Sequence, residues 1–143
     1  MENLNNILFY TLERSIKTYR QFAQQELVKH GFNITIDQWL VLKALNDDPK
    51  QTQQQIAATV FKDYASVTRI IDLLVKKDYL TRTLHADDRR RFNLVLTENA
   101  IKILALMQPV INKNRETALA GINEQHATEL RRILKTIIKN CQP

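Results

Sequence analysis

Three consecutive arginines, Arg89-Arg90-Arg91, close the run His85-Ala86-Asp87-Asp88-Arg89-Arg90-Arg91, in which no apolar side chain is larger than alanine. Guanidinium groups on so short a solvated segment suit a polyanion. An arginine on a narrow projecting loop is drawn into the minor groove of DNA, whose negative potential attracts it regardless of most base identities. Upstream, Ser66, Thr68 and Arg69 place two hydroxyls and a guanidinium within four residues, groups that can meet base edges in a major groove. Thr52 and Gln53 add polar side chains at a predicted helix start, where backbone N–H groups favour phosphate. The same two residues read equally well as a capped, soluble helix end.

Other chemistries find little footing. There are two glycines, Gly31 and Gly121, so neither a phosphate-cradling loop nor a dinucleotide fingerprint can be written. His30, His85 and His126 have no companion at metal-ligand spacing and read as surface or capping imidazoles. Asp87 and Asp88 are adjacent carboxylates, but the arginines beside them hold both ionised rather than poised for acid–base work. The single cysteine, Cys141, excludes an internal disulfide and a cysteine-based metal cluster, and its terminal position reads as a frayed end. No catalytic residue, metal or cofactor is expected.

The elements that must position these groups follow from periodicity. Val67, Ile70, Ile71, Leu74 and Val75 form one buried stripe of a helix. The opposite side is then Ala65, Arg69, Asp72 and Lys76, with Ser66 and Thr68 on its shoulders. Asp72 is awkward near phosphates, and its spacing predicts that it holds Arg69 in its reading orientation. Leu80 and Leu84, then Phe92, Leu94 and Leu96, alternate at period two, so the arginine run is the tip of a hairpin. Thr52-Gln53-Gln54-Gln55 has the capping-box form and opens a short helix through Ile56, Ala57 and Val60. With the turn at Phe61-Lys62-Asp63, this makes a helix-turn-helix pattern. Thr35 with Gln38 starts another helix through Trp39, Leu40, Leu42 and Leu45, stopped by Asn46-Asp47-Asp48-Pro49. Trp39 in that apolar run reads as a core anchor.

Longer helices flank this unit. Leu4, Ile7, Leu8, Leu12, Ile16, Tyr19, Phe22, Ala23 and Leu27 predict one continuous helix of about 40 Å, ended at His30-Gly31 by a left-handed glycine. Thr97 is placed to cap a helix carrying Ile101, Ile103, Leu104, Leu106, Met107, Val110 and Ile111, which Pro109 should kink or break near Ala105. After Gly121, Asn123 caps a last helix striped by Leu130, Ile133, Leu134, Ile137 and Ile138. The small central unit cannot cover all this apolar surface. A twofold homodimer would cover it and set two reading helices about 34–36 Å apart, as a palindromic operator requires.

At 143 residues and 44% hydrophobic the chain is one compact unit. Its charge of +6 is unevenly spread: residues 1–61 carry six Lys/Arg against six Asp/Glu, residues 62–91 eight against five, and residues 92–143 seven against four. Positive excess therefore begins where the reading helix begins. No apolar run approaches the roughly 20 residues of a membrane helix, and the N-terminus lacks a signal peptide's basic flank. A cytoplasmic location is expected.

The stretch Asp88-Arg89-Arg90-Arg91-Phe92-Asn93-Leu94-Val95-Leu96-Thr97 resembles the wing signature of the MarR family of bacterial winged-helix transcription regulators. Gly31-Phe32, Gln38-Trp39, Thr52-Gln53 with Ile56-Ala57, and Ser66-Val67-Thr68-Arg69 also fall where that family has similar residues. The resemblance implies a mainly α fold with a small β-hairpin: a winged helix-turn-helix at residues 32–97, with residues 1–31 and 98–143 as long flanking dimerisation helices. It implies that Arg90, with Arg89 beside it, is the wing tip entering the minor groove, and that Asp88 orients Arg90 through a charge-assisted hydrogen bond. Ser66, Thr68 and Arg69 would lie on the recognition helix. In many members a small phenolic or aromatic effector binds between the dimer helices and the DNA-reading unit. This sequence departs from the pattern at Asp78 and Ala100, where the family commonly has glycine, and lacks the cysteine near the start of the first helix that oxidant-sensing members use. The expectation is a dimeric, sequence-specific regulator of double-stranded DNA, most simply a repressor. A winged-helix protein-docking module and a non-specific architectural DNA binder are the alternatives.

Overall fold

The structure is a computed structural model that describes residues 1–84, 86–87 and 92–143. Among the described residues the order is α1 (Leu8–Lys29), α2 (Ile36–Asp47), α3 (Gln53–Thr59), α4 (Tyr64–Lys76), β1 (Leu80–Leu84), β2 (Phe92–Leu96), α5 (Glu98–Ala118) and α6 (Glu124–Cys141). The two strands pair antiparallel, with Leu80 opposite Leu96, Arg82 opposite Leu94 and Leu84 opposite Phe92.

The predicted caps are present. Thr35 and Gln38, and likewise Thr52 and Gln55, exchange hydrogen bonds reciprocally, so each helix start satisfies two otherwise orphaned amides. Thr97 and Asn123 cap α5 and α6. Gly31, at φ 82°, closes α1: its amide donates to the Val28 carbonyl and that of Phe32 to the Leu27 carbonyl, both at 3.0 Å.

Two expectations need correction. The first helix does not run unbroken from Leu4. A 3-10 turn spans Leu4–Asn6, Ile7 is extended, and α1 starts at Leu8, giving 22 residues or about 33 Å. The Asn3 side chain accepts from the Asn5 amide, offering the backbone a local alternative to the helix. Of the two outcomes expected at Pro109, a kink or a break, the break does not occur: α5 runs through it for 21 residues. Buried Met107 and Ile111 hold the helix to the core on either side, whereas Pro109 and Ala105, whose carbonyl loses its helical donor, lie on the exposed side.

One core joins α1 through α5 and the hairpin. Val41, Leu42, Leu45, Ile56, Val67, Ile71, Leu74 and Leu80 pack with Leu27 of α1 and with Ala100, Met107 and Ile111 of α5. The stripe read from residues 67–75 is the buried face of α4, with Val67, Ile71 and Leu74 fully enclosed. Polar ties fix the angles between helices. Arg20 Nη2 of α1 donates to Asp37 Oδ1 of α2 at 2.5 Å, and Lys62, in the turn before α4, lies 3.4 Å from the other oxygen of Asp37. At the far end of α4, Lys77 Nζ donates to the Asn33 carbonyl at 2.7 Å and to buried Gln38 at 3.2 Å. Asp78 takes the left-handed conformation, φ 63°, that its place after the helix demands.

Candidate nucleic-acid interface

The site is built on α4, whose start is set by Asp63. The carboxylate accepts the Ser66 amide at 2.7 Å. That backbone hydrogen bond, and then the Ser66 hydroxyl, hold the Asp63 carboxyl below its ordinary value of 3.8. Beyond the cap, Ala65, Arg69, Asp72 and Lys76 are exposed and Ser66 and Thr68 are half-buried, as the stripe predicts. Between Tyr64 at its start and Leu73 further along, both exposed, the helix thus turns small and polar side chains outward.

Tertiary structure decides how these groups are partnered. Gln53 Nε2 of α3 donates to Thr68 Oγ1 at 2.5 Å, and the Thr68 hydroxyl donates to the Tyr64 carbonyl at 2.9 Å. Gln53 and Thr68 are therefore a bridge between the two helices of the helix-turn-helix. Thr52 is occupied in its own capping box. Arg69 Nη2 donates to Ser66 Oγ at 3.3 Å, leaving both on the outward face. Asp72 does not hold Arg69, contrary to the spacing: it pairs with Arg82 of β1. The hairpin returns along α4 and brings a guanidinium from another element to that carboxylate, which helical spacing cannot foresee. The expected wing residues Asp88, Arg89 and Arg90 lie outside the described residues.

Two large side chains that the reading of the sequence passed over stand at this end of α4. Phe61 is 90% exposed and Tyr64 58% exposed. The available signal was an aromatic residue in a predicted turn. Trp39 is only half-buried at the edge of the core, so it is less than the full anchor expected. No group of His, Cys, Asp and Glu among the described residues is arranged to hold a metal ion.

A short helix, a turn, a second helix with a small polar outer face, and a hairpin mounted directly on that helix together define a winged helix-turn-helix protein. The sequence pattern of the MarR family matches residues 30–91, from the end of α1 to the hairpin. Solved structures extend the likeness in fold to nearly the whole chain. BpsR of Bordetella bronchiseptica, whose DNA binding is regulated by 6-hydroxynicotinic acid, is 20% identical with a TM-score of 0.86, covering 96% of each chain. A MarR family transcriptional regulator from Silicibacter pomeroyi is 24% identical with a TM-score of 0.83, over 98% of this chain and 92% of its own. Wild-type MarR from E. coli is 20% identical with a TM-score of 0.77, over 92% and 96%.

Proposed function

We propose that this chain is a homodimeric, sequence-specific DNA-binding repressor that occupies palindromic operators. The carrying observation is the outward face of α4, where Ser66 and Arg69 are mutually oriented at the capped helix start while the hairpin leads off the other end. In this reading α4 enters the major groove and Arg69 and Ser66 meet base edges. Arg90 and Arg89 reach the minor groove, with Asp88 orienting Arg90. Thr52, Gln53 and Thr68 hold the two short helices in register at the phosphates. Residues 32–97 form the reading part, and residues 1–31 and 98–143 the dimerisation part.

Exposed apolar surface supports the dimer. Leu8, Phe9 and Ile16 of α1 and Leu130, Ile133 and Ile138 of α6 are all exposed in the single chain. A small aromatic effector fits the same scheme. A groove of about 270 Å³ lies between α2 and α5, with Trp39 and Leu104 as apolar walls and Lys43 and Gln108 as polar ones. No helix among the described residues is long and apolar enough to cross a membrane, in keeping with a cytoplasmic regulator.

Selection of bound duplexes from a random pool tests the proposal. An enriched inverted repeat is expected, with affinity falling steeply as salt rises because phosphate contacts release counterions. On the selected duplex Arg90→Ala should cost about 1–3 kcal/mol. Binding that ignores both sequence and salt would overturn the proposal.

A further inference from the structure

Helices α1, α3 and α4 end in the same way. The residue after each cap turns left-handed and the following amide reaches back to a carbonyl in the last turn: Phe32 to Leu27 at 3.0 Å, Lys62 to Ala57 at 3.0 Å, and Tyr79 to Leu74 at 2.9 Å. The left-handed residues are Gly31, Phe61 and Asp78, with φ of 82°, 61° and 63°. Glycine has no Cβ to clash. Asp78 is secured from α5, where Asn99 Nδ2 donates to its carboxylate at 2.7 Å and the Thr97 hydroxyl donates to its carbonyl at 2.7 Å.

Phe61 has neither excuse. A bulky side chain in this conformation is an outlier that costs energy, and no burial offsets it, because 90% of the residue faces solvent. The isolated chain loses twice by having phenylalanine here, once in backbone strain and once in apolar hydration. A residue kept at such a cost points to use by something outside the chain.

Its position says what that is. Phe61 immediately precedes Lys62, where the basic excess of eight Lys/Arg against five Asp/Glu over residues 62–91 begins. Tyr64, the first residue of α4, is the other exposed aromatic at this end. Ala65 and Ser66, which follow it, are the small residues that let the helix approach a groove floor. The rings therefore stand at the border of that approach, where a duplex offers apolar chemistry of two kinds: deoxyribose edges and thymine methyl groups.

We infer that Phe61, with Tyr64 beside it, forms an aromatic rim that packs on the deoxyribose and thymine-methyl surface bordering the groove entered by α4. The inference rests on the DNA-binding reading above and adds to it an uncharged contact that none of the arginines or hydroxyls supplies.

Phe61→Gly separates this role from a structural one. Glycine relieves the left-handed strain, so the melting temperature should rise, whereas affinity for the selected duplex should fall about tenfold or more through the lost apolar burial. Because no charge is removed, the slope of log K against log salt should match that of the wild type. Phe61→Asn, whose side chain also tolerates this backbone, repeats the test and should weaken binding likewise. If both variants bind the duplex as tightly as a wild-type chain that does bind it, this inference alone is overturned, and a changed association with protein instead would count the same way. A wild-type chain that binds no duplex brings down the inference together with the reading beneath it.

Discussion

Thr68 has a single proton to donate, and that proton goes to the Tyr64 carbonyl while a lone pair receives Gln53. A hydroxyl so engaged cannot donate to a base unless it is first released, and in the folded chain it ties α3 to α4. Thr68→Val keeps the shape and removes the bridge. It should lower stability by about 1 kcal/mol, the worth of an ordinary hydrogen bond, and leave base preference at every operator position as it was. Denaturant melts and repeated duplex selection would check this; a preference altered at one position would make Thr68 a direct reader. Residue type and spacing alone marked Thr68 as a site residue. What it does there depends on Gln53, fifteen residues earlier in the chain.

For the element α4, the most exposed dependence is its acidic cap. The Asp63 carboxyl is held below its ordinary value of 3.8 by the Ser66 amide. Its folded pKa being the lower one, the cap contributes in full above the unfolded value and loses that contribution as pH falls through the folded one. Asp63→Asn keeps an acceptor at the helix start but removes the titration. The wild type should therefore be the more stable of the two at neutral pH, and its advantage should shrink only below about pH 4. Thermal melts of both proteins from neutral pH to acid would show it; a gap that stays constant through the acid range would assign the difference to something other than this carboxyl. The second tie on α4, between Asp72 and Arg82, joins that helix to the first strand of the hairpin. Among the described residues this ion pair ties β1 to α4.

Across the whole molecule, α6 is the anomaly. Its apolar stripe is clean, yet none of its residues is buried in the single chain. Leu130, Ile133 and Ile138 remain 45%, 43% and 54% exposed. A helix of this kind gains its stability from a surface it packs against, and in the proposed dimer a second copy would offer the matching surface under twofold symmetry. The wild type should sediment at about twice the 16.7 kDa chain mass. Ile133→Asp should shift it toward the monomer and weaken operator binding in parallel, since two half-sites are then no longer held together. Sedimentation that reports a single chain for the wild type would leave the stripe without its partner.

Local rules alone determined most of the architecture: two capping boxes, the stripe of α4, the alternation of the hairpin, and the stops at Gly31 and Asp48. Each depends on neighbours within a few residues, and such neighbours are written directly in the chain. Where the local signal was misleading, tertiary packing decided the outcome. Met107 and Ile111 anchored a helix that Pro109 was expected to kink or break, and it runs on unbroken. Partner choice across elements was beyond reach for the same reason. Asp72 could be paired with Arg69 by counting, but Arg82 reaches it only because the hairpin folds back along α4. Likewise the strain at Phe61 exists only once α3 ends in a turn that forces φ to +61°. Periodicity is a property of one segment, whereas contact and strain belong to segments brought together, and only the folded chain brings them together.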